Sequence, residues 1–414
     1  MAGSKYQAPR GTFDVLPDSA RARTRIEHAA AAIFARAGYE PIATPSFEDT
    51  ELFERGVGHS TDIVRKEMFT FEDKGGRSLT LRPEGTAPIC RAYLEHGMHK
   101  LAQPVKLSFL GPFFRHERPQ AGRYRQFHQL GIEAIGTESP LADAEAIALL
   151  AELLAELGVP GVQLRLGSLG SFDARQEYLE ELKAHLHAHQ GDLAKEVRER
   201  IDVNPLRAFD SDDESTRGVM AAAPKLVDRL EGADAEHFDE VRALLDAAGV
   251  EHTIDPTLVR GLDYYTRTIF SFVCDRLGAQ SEIGGGGRYD GLIEQLGGRP
   301  TPAVGWAAGI ERIVLALDEE VAAPGRDVFV AVAEGGQPRL ALVLAGELRS
   351  AGLSAEVDLG GRGLKGQLKQ ADRIGARRVL ILEEVGAQLR DMTSGEQRPV
   401  ETGNLIEEIT GGEA

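Results

Sequence analysis

Residues 114–129 hold four arginines, Arg115, Arg118, Arg123 and Arg125, against one acid, Glu117, and are framed by two apolar runs of strand length. The first run covers 105–110 and is prolonged by Phe113 and Phe114; the second covers 130–135. Between them Pro119 and Gly122 break the pattern as a loop does. Such a stretch dictates a β-hairpin whose long tip is cationic and contains glycine. Arginine stays charged and offers a planar fork matched to phosphate oxygens, so the tip suits a polyanion. A solvated charged loop is the plainer alternative, and the hairpin alone does not decide between them.

The rest of the chain sets that basic tip apart. Over 414 residues the formal net charge is −18. A chain this acidic binds nucleic acid only through local basic patches. Its length allows two or three domains and a large core. A composition 42% hydrophobic and 27% charged is that of a soluble globular protein. Cys90 and Cys274 lie far apart, form no disulfide framework, and read as buried reduced thiols. Residues 1–10 are polar and lack an apolar signal region. No run approaches the roughly 18 apolar residues of a membrane span. The expectation is a cytoplasmic protein without a membrane segment.

Taken in order, Asp18 or Ser19 is placed to cap a helix reaching residue 37, with Ile26, Ala30, Ile33, Phe34 and Ala37 on one face and Gly38 ending it. Residues 39–47 are extended, and Pro41 and Pro45 confine them to a sheet edge or an interface. Strands at 65–71 and 78–81 bracket a hairpin turn at 73–76, and a helix over 87–95 precedes the arginine hairpin. Residues 140–157 form an amphipathic helix stopped by Gly158, and 162–166 a short strand. From 172 to about 249 the sequence is polar and helix-rich, a helical insertion in a β-sheet core. Strand patterning returns over 253–275, where Thr268, Phe270, Phe272 and Cys274 alternate with their neighbours, and 280–283 pair back. The four glycines at 284–287 read as a turn. A strand at 303–306 and a helix over 309–317 follow, then a linker at 322–325.

The last ninety or so residues alternate strand and helix: strands at 328–332, 355–359 and 378–382, helices at 339–351 and 364–374. A small parallel α/β domain over 327–414 is expected, after a first domain over 1–325. Its second helix sets Lys365, Lys369 and Arg373 at i, i+4 and i+8, a basic stripe or simply a solvated face.

No stretch fits the phosphate-binding pattern G-x-x-x-x-G-K-[ST]. The glycines at 284–287 sit between antiparallel-looking strands, not at a strand-to-helix turn, which argues against a dinucleotide site. They let backbone approach a ligand, or they make a tight turn. Metal-ligand spacing is absent: His185, His187 and His189 alternate in a helix and so do not share one face. Phosphate chemistry is therefore left to arginines, with Arg115, Arg123, Arg260 and Arg312 as candidates, together with bound Mg²⁺.

Those arginines stand in a recognisable pattern. Phe114 to Glu117 with Arg123 to Phe127 resembles motif 2 of the class II aminoacyl-tRNA synthetases. Residues 305–317, with Gly309, Ile310, Glu311 and Arg312, resemble motif 3, and 42–53, around Pro45, the looser motif 1. Within that class the chain resembles the histidyl-tRNA synthetase family, on residues 260–265, with Arg260, Gly261 and the pair Tyr264–Tyr265, and on 286–291, with Arg288, Tyr289 and Asp290. Residues 82–86 fit as well, and the likeness covers nearly the whole chain.

The resemblance implies an α+β fold: an antiparallel β-sheet catalytic core flanked by helices, a helical insertion, and a C-terminal anticodon-binding α/β domain. It implies activation of L-histidine by ATP, with release of pyrophosphate, and transfer of the histidyl group to the 3′ end of tRNA(His). By similarity Arg115 contacts the α-phosphate and the substrate carboxylate, Arg260 approaches the α-phosphate from the other side, and Arg312 holds the γ-phosphate. Glu117 and Arg123 join the ATP site, and Phe127 stacks on adenine. Glu84, Thr86 and Gln129 receive the ammonium group. Glu133 and Tyr265, with Tyr264 close by, serve the two edges of a neutral imidazole, which has one donor and one acceptor. Arg118, Gln120 and Arg123 reach the tRNA acceptor end, and Lys365, Lys369 and Arg373 gain a reason as anticodon-side contacts. A homodimer is implied through motif 1. The short segment after Leu382 implies a trimmed strand or loop. One rival is a regulatory paralogue of histidine biosynthesis that charges no tRNA; such paralogues typically lack the C-terminal domain and erode the arginine and tyrosine motifs, and both are intact here. Another is an RNA-binding or sensor module built on a synthetase-like domain.

Overall fold

The computed structural model describes residues 6–58, 61–317 and 325–410. The chain divides into two compact units, Met1–Val321 and Ala322–Ala414. Apart from Gly325, the linker expected at 322–325 lies outside the described residues.

The first unit opens with α1 (Pro17–Arg36), which buries Ala22, Ile26, Ala30, Ile33 and Phe34 along one stripe. Neither Asp18 nor Ser19 caps it: Pro17 takes the first turn, Leu16 stands at the N-cap, and no side chain caps the end. Proline is pre-set for that position and needs no N–H there. β1 (Glu40–Pro41) then adds a short parallel strand to the edge of the main sheet, a place where proline is tolerated. β2 (Phe47–Asp49), α2 (Thr50–Val57), β3 (Phe69–Glu72) and β4 (Ser78–Leu81) follow, and the three strands form a separate sheet in the order β2-β4-β3. Residues 63–67 are a π-helix, so the strand expected from 65 starts only at Phe69. α3 (Thr86–Glu95) leads to the long hairpin β5 (Val105–Phe114) and β6 (Gln126–Ile135), whose ten pairs run from Val105↔Ile135 to Phe114↔Gln126.

α4 (Pro140–Glu156) and β7 (Val162–Ser168) precede the helical segment, which contains α5 (Phe172–Ala188), α6 (Lys195–Arg198), α7 (Glu214–Ala221) and α8 (Gly232–Ala247). β8 (Thr253–Ile254), β9 (Thr266–Cys274), β10 (Glu282–Arg288), α9 (Leu292–Gln295), β11 (Ala303–Gly309) and α10 (Ile310–Leu317) complete the unit. The main sheet has eight strands in the order β1-β5-β6-β11-β10-β9-β7-β8. From β5 to β7 every pairing is antiparallel, and β1 and β8 add parallel edges.

Two sequence expectations change here. The glycines at 284–287 are not a turn; they lie inside β10, paired on both sides. The neighbouring strands come so close that a Cβ on Gly286 would stand 2.0 Å from the Gly305 carbonyl oxygen, so the glycine answers a demand for space. The strand expected over 253–275 is two strands separated by an unpaired segment, 255–265. The helical segment packs on the core through its last helix. Phe238, Val241 and Leu245 of α8 pack with α1, α4 and α10 against one face of the sheet, through Leu130, Ile132, Phe270, Phe272 and Val304. The site lies on the other face, beside α3 and α9.

In the second unit β12 (Val328–Val332), α11 (Pro338–Ser350), β13 (Ala355–Val357), α12 (Leu364–Arg373) and β14 (Arg378–Leu382) form the expected strand–helix alternation. β15 (Ala387–Asp391), β16 (Gln397–Val400) and α13 (Leu405–Thr410) then follow. The sheet order is β13-β12-β14-β15-β16, parallel among the first three and antiparallel beyond, so the unit is mixed rather than parallel. The short segment after Leu382 does not end the sheet: four residues suffice for a hairpin turn through Gly386, φ 88°. α11 and α13 cover one face and α12 the other.

Candidate active site

A cavity of about 600 Å³ opens on the face of the main sheet not covered by α1, α4, α8 and α10. β6 and β10 supply Phe127, Gln129 and Glu282 to its floor, Arg115 follows β5, Arg312 sits in the first turn of α10, and Arg260, Tyr264 and Tyr265 come from the unpaired segment. Glu84 and Thr86 enter from the start of α3.

Each arginine is held. Arg115 donates from Nε to the Pro83 carbonyl at 2.8 Å and lies 5.4 Å from the centre of the Phe127 ring. Arg260 donates to Glu282 Oε2 at 3.0 Å and lies 5.7 Å from the centre of the Tyr265 ring. Arg312 donates to the Glu282 backbone carbonyl at 2.8 Å and to that of Gly122, in the hairpin tip, at 3.0 Å. Glu282 thus joins two of the cations. Burial raises its carboxyl, but Arg260 and Arg312 outweigh that and hold it below the ordinary range.

The amino-acid end is equally organised. Glu84 accepts the Thr86 and Ala87 N–H groups at 2.8 and 2.9 Å, satisfying the open start of α3, and the Tyr264 hydroxyl donates to it at 3.4 Å. Burial pushes the Glu84 carboxyl up against those donors. The Tyr264 and Tyr265 rings stand 4.7 Å apart, both buried. Among the buried side-chain atoms without a hydrogen-bond partner in the described residues, Glu117 Oε2, Gln129 Oε1 and Arg260 Nε belong to the cavity lining. Orphaned groups of this kind argue for a ligand.

Glu133 does not line this cavity. It is fully buried behind Thr86, whose hydroxyl donates to it at 2.6 Å, and Tyr289 donates to its other oxygen. Thr86 is the cavity residue that its carboxylate meets. Burial pushes this carboxyl up to about 8, with the Thr86 and Tyr289 hydrogen bonds opposing. The side chain lies flat over β11: a Cβ on Gly305 would stand 1.7 Å from Glu133 Oε2.

At the hairpin tip Glu117 and Arg123 line the cavity and pair at 2.7 Å. Gln120 and Arg123 close a small bridge across Ala121 and Gly122, and Arg118 and Gln120 are exposed. Lys365, Lys369 and Arg373 are all exposed on α12, whose Gln367 and Ala371 are buried. Cys90 and Cys274 are buried free thiols. His185 and His189 do share a helix face, their rings 4.5 Å apart, because i and i+4 meet one turn on. No group of three or more His, Cys, Asp or Glu placed for a metal ion occurs among the described residues.

The family model described as Histidyl-tRNA synthetase matches residues 11–313, and that described as Anticodon binding domain matches 327–411. The chain belongs to the histidyl-tRNA synthetase family. It is 47% identical over 412 residues to the histidine–tRNA ligase of Halothermothrix orenii, covering 97% of this chain and 98% of that one. To that of Mycobacterium tuberculosis it is 47% identical over 416 residues, covering 98% of each. Among solved structures, the apo histidyl-tRNA synthetase of S. aureus superposes with a TM-score of 0.81 at 36% identity, over 98% of this chain and 99% of that one. A Bacillus halodurans protein named as an ATP phosphoribosyltransferase regulatory subunit/histidyl-tRNA synthetase shares the fold at TM-score 0.67 and 24% identity, over 92% of this chain and 99% of that one.

Sequence reasoning missed several residues of this site. Glu282 carries no motif of its own, and only the fold brings it between Arg260 and Arg312. Glu311, in the motif 3 stretch, accepts both the backbone N–H and ring Nδ1 of His128 at 3.0 Å, which ties α10 to β6. Tyr289 stood inside the 286–291 match as a pattern without a role. Arg207, Asp210 and Asp212 reach the cavity from the helical segment; the acidic run at 210–214 is visible in the sequence, but nothing local ties it to the site.

Proposed function

We infer that this chain is a histidine–tRNA ligase, activating L-histidine with ATP to histidyl-adenylate and pyrophosphate and then charging tRNA(His). The observation that carries the reading is one cavity in which Arg115, Arg260 and Arg312, from three separate elements, meet Glu84 and the pair Tyr264–Tyr265. The first step is in-line attack of the histidine carboxylate on the α-phosphorus, and two anions must be gathered for it. Arg115 and Arg260 draw carboxylate and α-phosphate together and take up the charge that spreads in the transition state. Arg312 steadies the γ-phosphate end, Phe127 stacks on adenine, and Glu117 and Arg123 complete the ATP site. Glu84, Thr86 and the free acceptor of Gln129 take the ammonium group. Tyr264 and Tyr265 serve the imidazole, and Glu133 acts through Thr86 and Tyr289. A pocket of buried polar groups rejects apolar isosteres strongly, because they leave its donors and acceptors unpaired.

The cavity lining carries five arginines against eight carboxylates. An excess of carboxylates disfavours a bare nucleotide polyphosphate, which supports its arrival with Mg²⁺. Phosphate oxygens would hold that ion with one or two carboxylates; Glu67 and Glu117 line the cavity near Arg115, and burial together with Glu117 raises the Glu67 carboxyl. In the second unit the exposed stripe of Lys365, Lys369 and Arg373 supports contact with the anticodon side of the tRNA. Arg118, Gln120 and Arg123 supply the contact at the acceptor end. The exposed rings of Phe47 and Phe71, 6.2 Å apart edge to face on the small sheet, support a homodimer through the motif 1 region. No helix among the described residues is long and apolar enough to cross a membrane; our reading places the protein in the cytoplasm.

Purified protein should exchange pyrophosphate into ATP only with histidine. Equal exchange with other amino acids, or none, sinks the reading. In the same preparation, replacing Lys365, Lys369 and Arg373 together by alanine should spare exchange and slow tRNA charging; unchanged charging removes that stripe from tRNA binding.

A further inference from the structure

The segment that carries Arg260 and the tyrosine pair lies outside every strand, yet the helical segment grips it at three alternate residues and grips the start of β9 at a fourth. Arg207 donates to the Gly261 carbonyl at 3.5 Å. Asn204 donates to the Asp263 carboxylate at 3.2 Å. Arg175 donates to the Tyr265 carbonyl at 2.8 Å. Asp234 pairs with Arg267 at 3.0 Å. Arg267 itself has φ 45°, a left-handed conformation that a non-glycine residue holds only when its surroundings fix it. Asp234 also accepts the Ser171 N–H at 2.8 Å, so the start of the helical segment and the first turn of its last helix, α8, meet beside that residue.

Arg175 is the central grip. It lies in α5, it is buried, and its guanidinium stands 4.9 Å from the centre of the Phe172 ring. A buried cation is costly to desolvate. Here its hydrogen bond goes to the main chain of a cavity residue, between the two tyrosine rings and Arg267. A shift of that carbonyl moves the Tyr264–Tyr265 pair and leaves the sheet-borne nucleotide contacts in place.

We propose that Arg175 is a positioning residue for the histidine pocket, setting the stance of Tyr264 and Tyr265 through the Tyr265 carbonyl, with Asn204 in support. This rests on the reading that the tyrosine pair binds histidine. The helical segment then governs affinity for the amino acid while lying outside the pocket's recognition groups.

The test is pyrophosphate exchange with histidine and ATP varied separately, in wild type, Arg175→Met, Arg175→Lys and Asn204→Ala. Tyr178→Phe is the control; it removes a 3.0 Å hydrogen bond to the Pro224 carbonyl inside the helical segment, away from the tyrosine pair. Arg175→Met should raise the KM for histidine about tenfold, the scale of a lost charged hydrogen bond, with the KM for ATP little changed. Arg175→Lys should recover part of the loss, Asn204→Ala should move the same ratio less, and Tyr178→Phe should not move it. If Arg175→Met does not fold, Arg175→Lys and Asn204→Ala carry the comparison. Histidine-dependent exchange in wild type with an unmoved KM ratio in Arg175→Lys and Asn204→Ala overturns this inference alone. Wild-type exchange that needs no histidine overturns the reading beneath it as well.

Discussion

The two walls of the cavity are held in place by different means. Phe127, Gln129 and Glu282 belong to β6 and β10, and each of those strands is paired on both sides. Their backbone positions follow from the ladder and need no further support. Arg260, Tyr264 and Tyr265 belong to a segment with no ladder, and side chains from the helical segment and Glu282 hold it. Binding residues commonly sit on loops over a rigid scaffold. Here the loop becomes part of the scaffold, because polar side chains, with the buried Arg175 at their centre, replace the missing strand pairing. The sheet wall should therefore tolerate loss of single side-chain contacts, and the loop wall should not.

Arg260→Ala breaks that comparison most sharply. It removes a cation from the attack geometry and the loop's own bond to the sheet through Glu282. Exchange activity should fall by about 3–4 kcal/mol in the transition state, the scale of losing one preorganised charge-stabilising group, with the melting temperature nearly kept. A near-normal exchange rate shows that the cation on this wall is dispensable.

The sequence disclosed the two walls unequally, and for physical reasons. β5, β6, α4 and α10 follow from apolar periodicity, which reports burial directly. The glycines of β10 misled because glycine marks turns through its freedom at positive φ, whereas Gly284 to Gly286 are needed for lack of a side chain. The loop wall read as strand because Val259, Leu262, Tyr264 and Tyr265 are strand-forming residues; nothing local says that their hydrogen bonds go to side chains from α5 and beyond. Family resemblance named Arg115, Arg260, Arg312, Glu84 and the tyrosine pair. It did not disclose what holds them, so Glu282, Arg175 and the burial of Glu133 came only from the fold. The three strands and two helices expected after residue 327 were legible, but β15 and β16 were not: their short polar stretches, such as Gln397–Val400, lack an apolar run.

Glu133→Gln probes the sheet wall from behind. The Glu133 carboxyl binds its proton more tightly folded, at about 8, than at its ordinary 4.5. Its contribution to stability is whole below the ordinary value and is lost as pH rises toward the folded one. Glutamine carries no such proton. Relative to wild type, the variant should therefore gain about 3 kcal/mol between pH 5 and pH 7, read from urea unfolding at each pH. A relative stability that does not change with pH would mean that Glu133 is ionised in the folded protein, and that this wall stores a buried charge after all.

The smallest expected effect lies where the walls touch. A Cβ on Gly285 would stand 2.6 Å from the Phe270 carbonyl oxygen and 2.8 Å from Arg260 Nη1. In Gly285→Ala the sheet side of that contact is backbone and cannot give, while the arginine is the end of a flexible side chain. The strain should cost about 2 kcal/mol of stability, typical of overpacking a tight site, and the guanidinium should be displaced from Glu282. Exchange measured well below the melting temperature should then fall although the fold is intact, and the KM for ATP should rise more than that for histidine, because the tyrosine pair keeps its grip through Arg175. If instead histidine affinity falls as much as ATP affinity, the loop moves as one body with its arginine, and the two walls are a single mechanical unit.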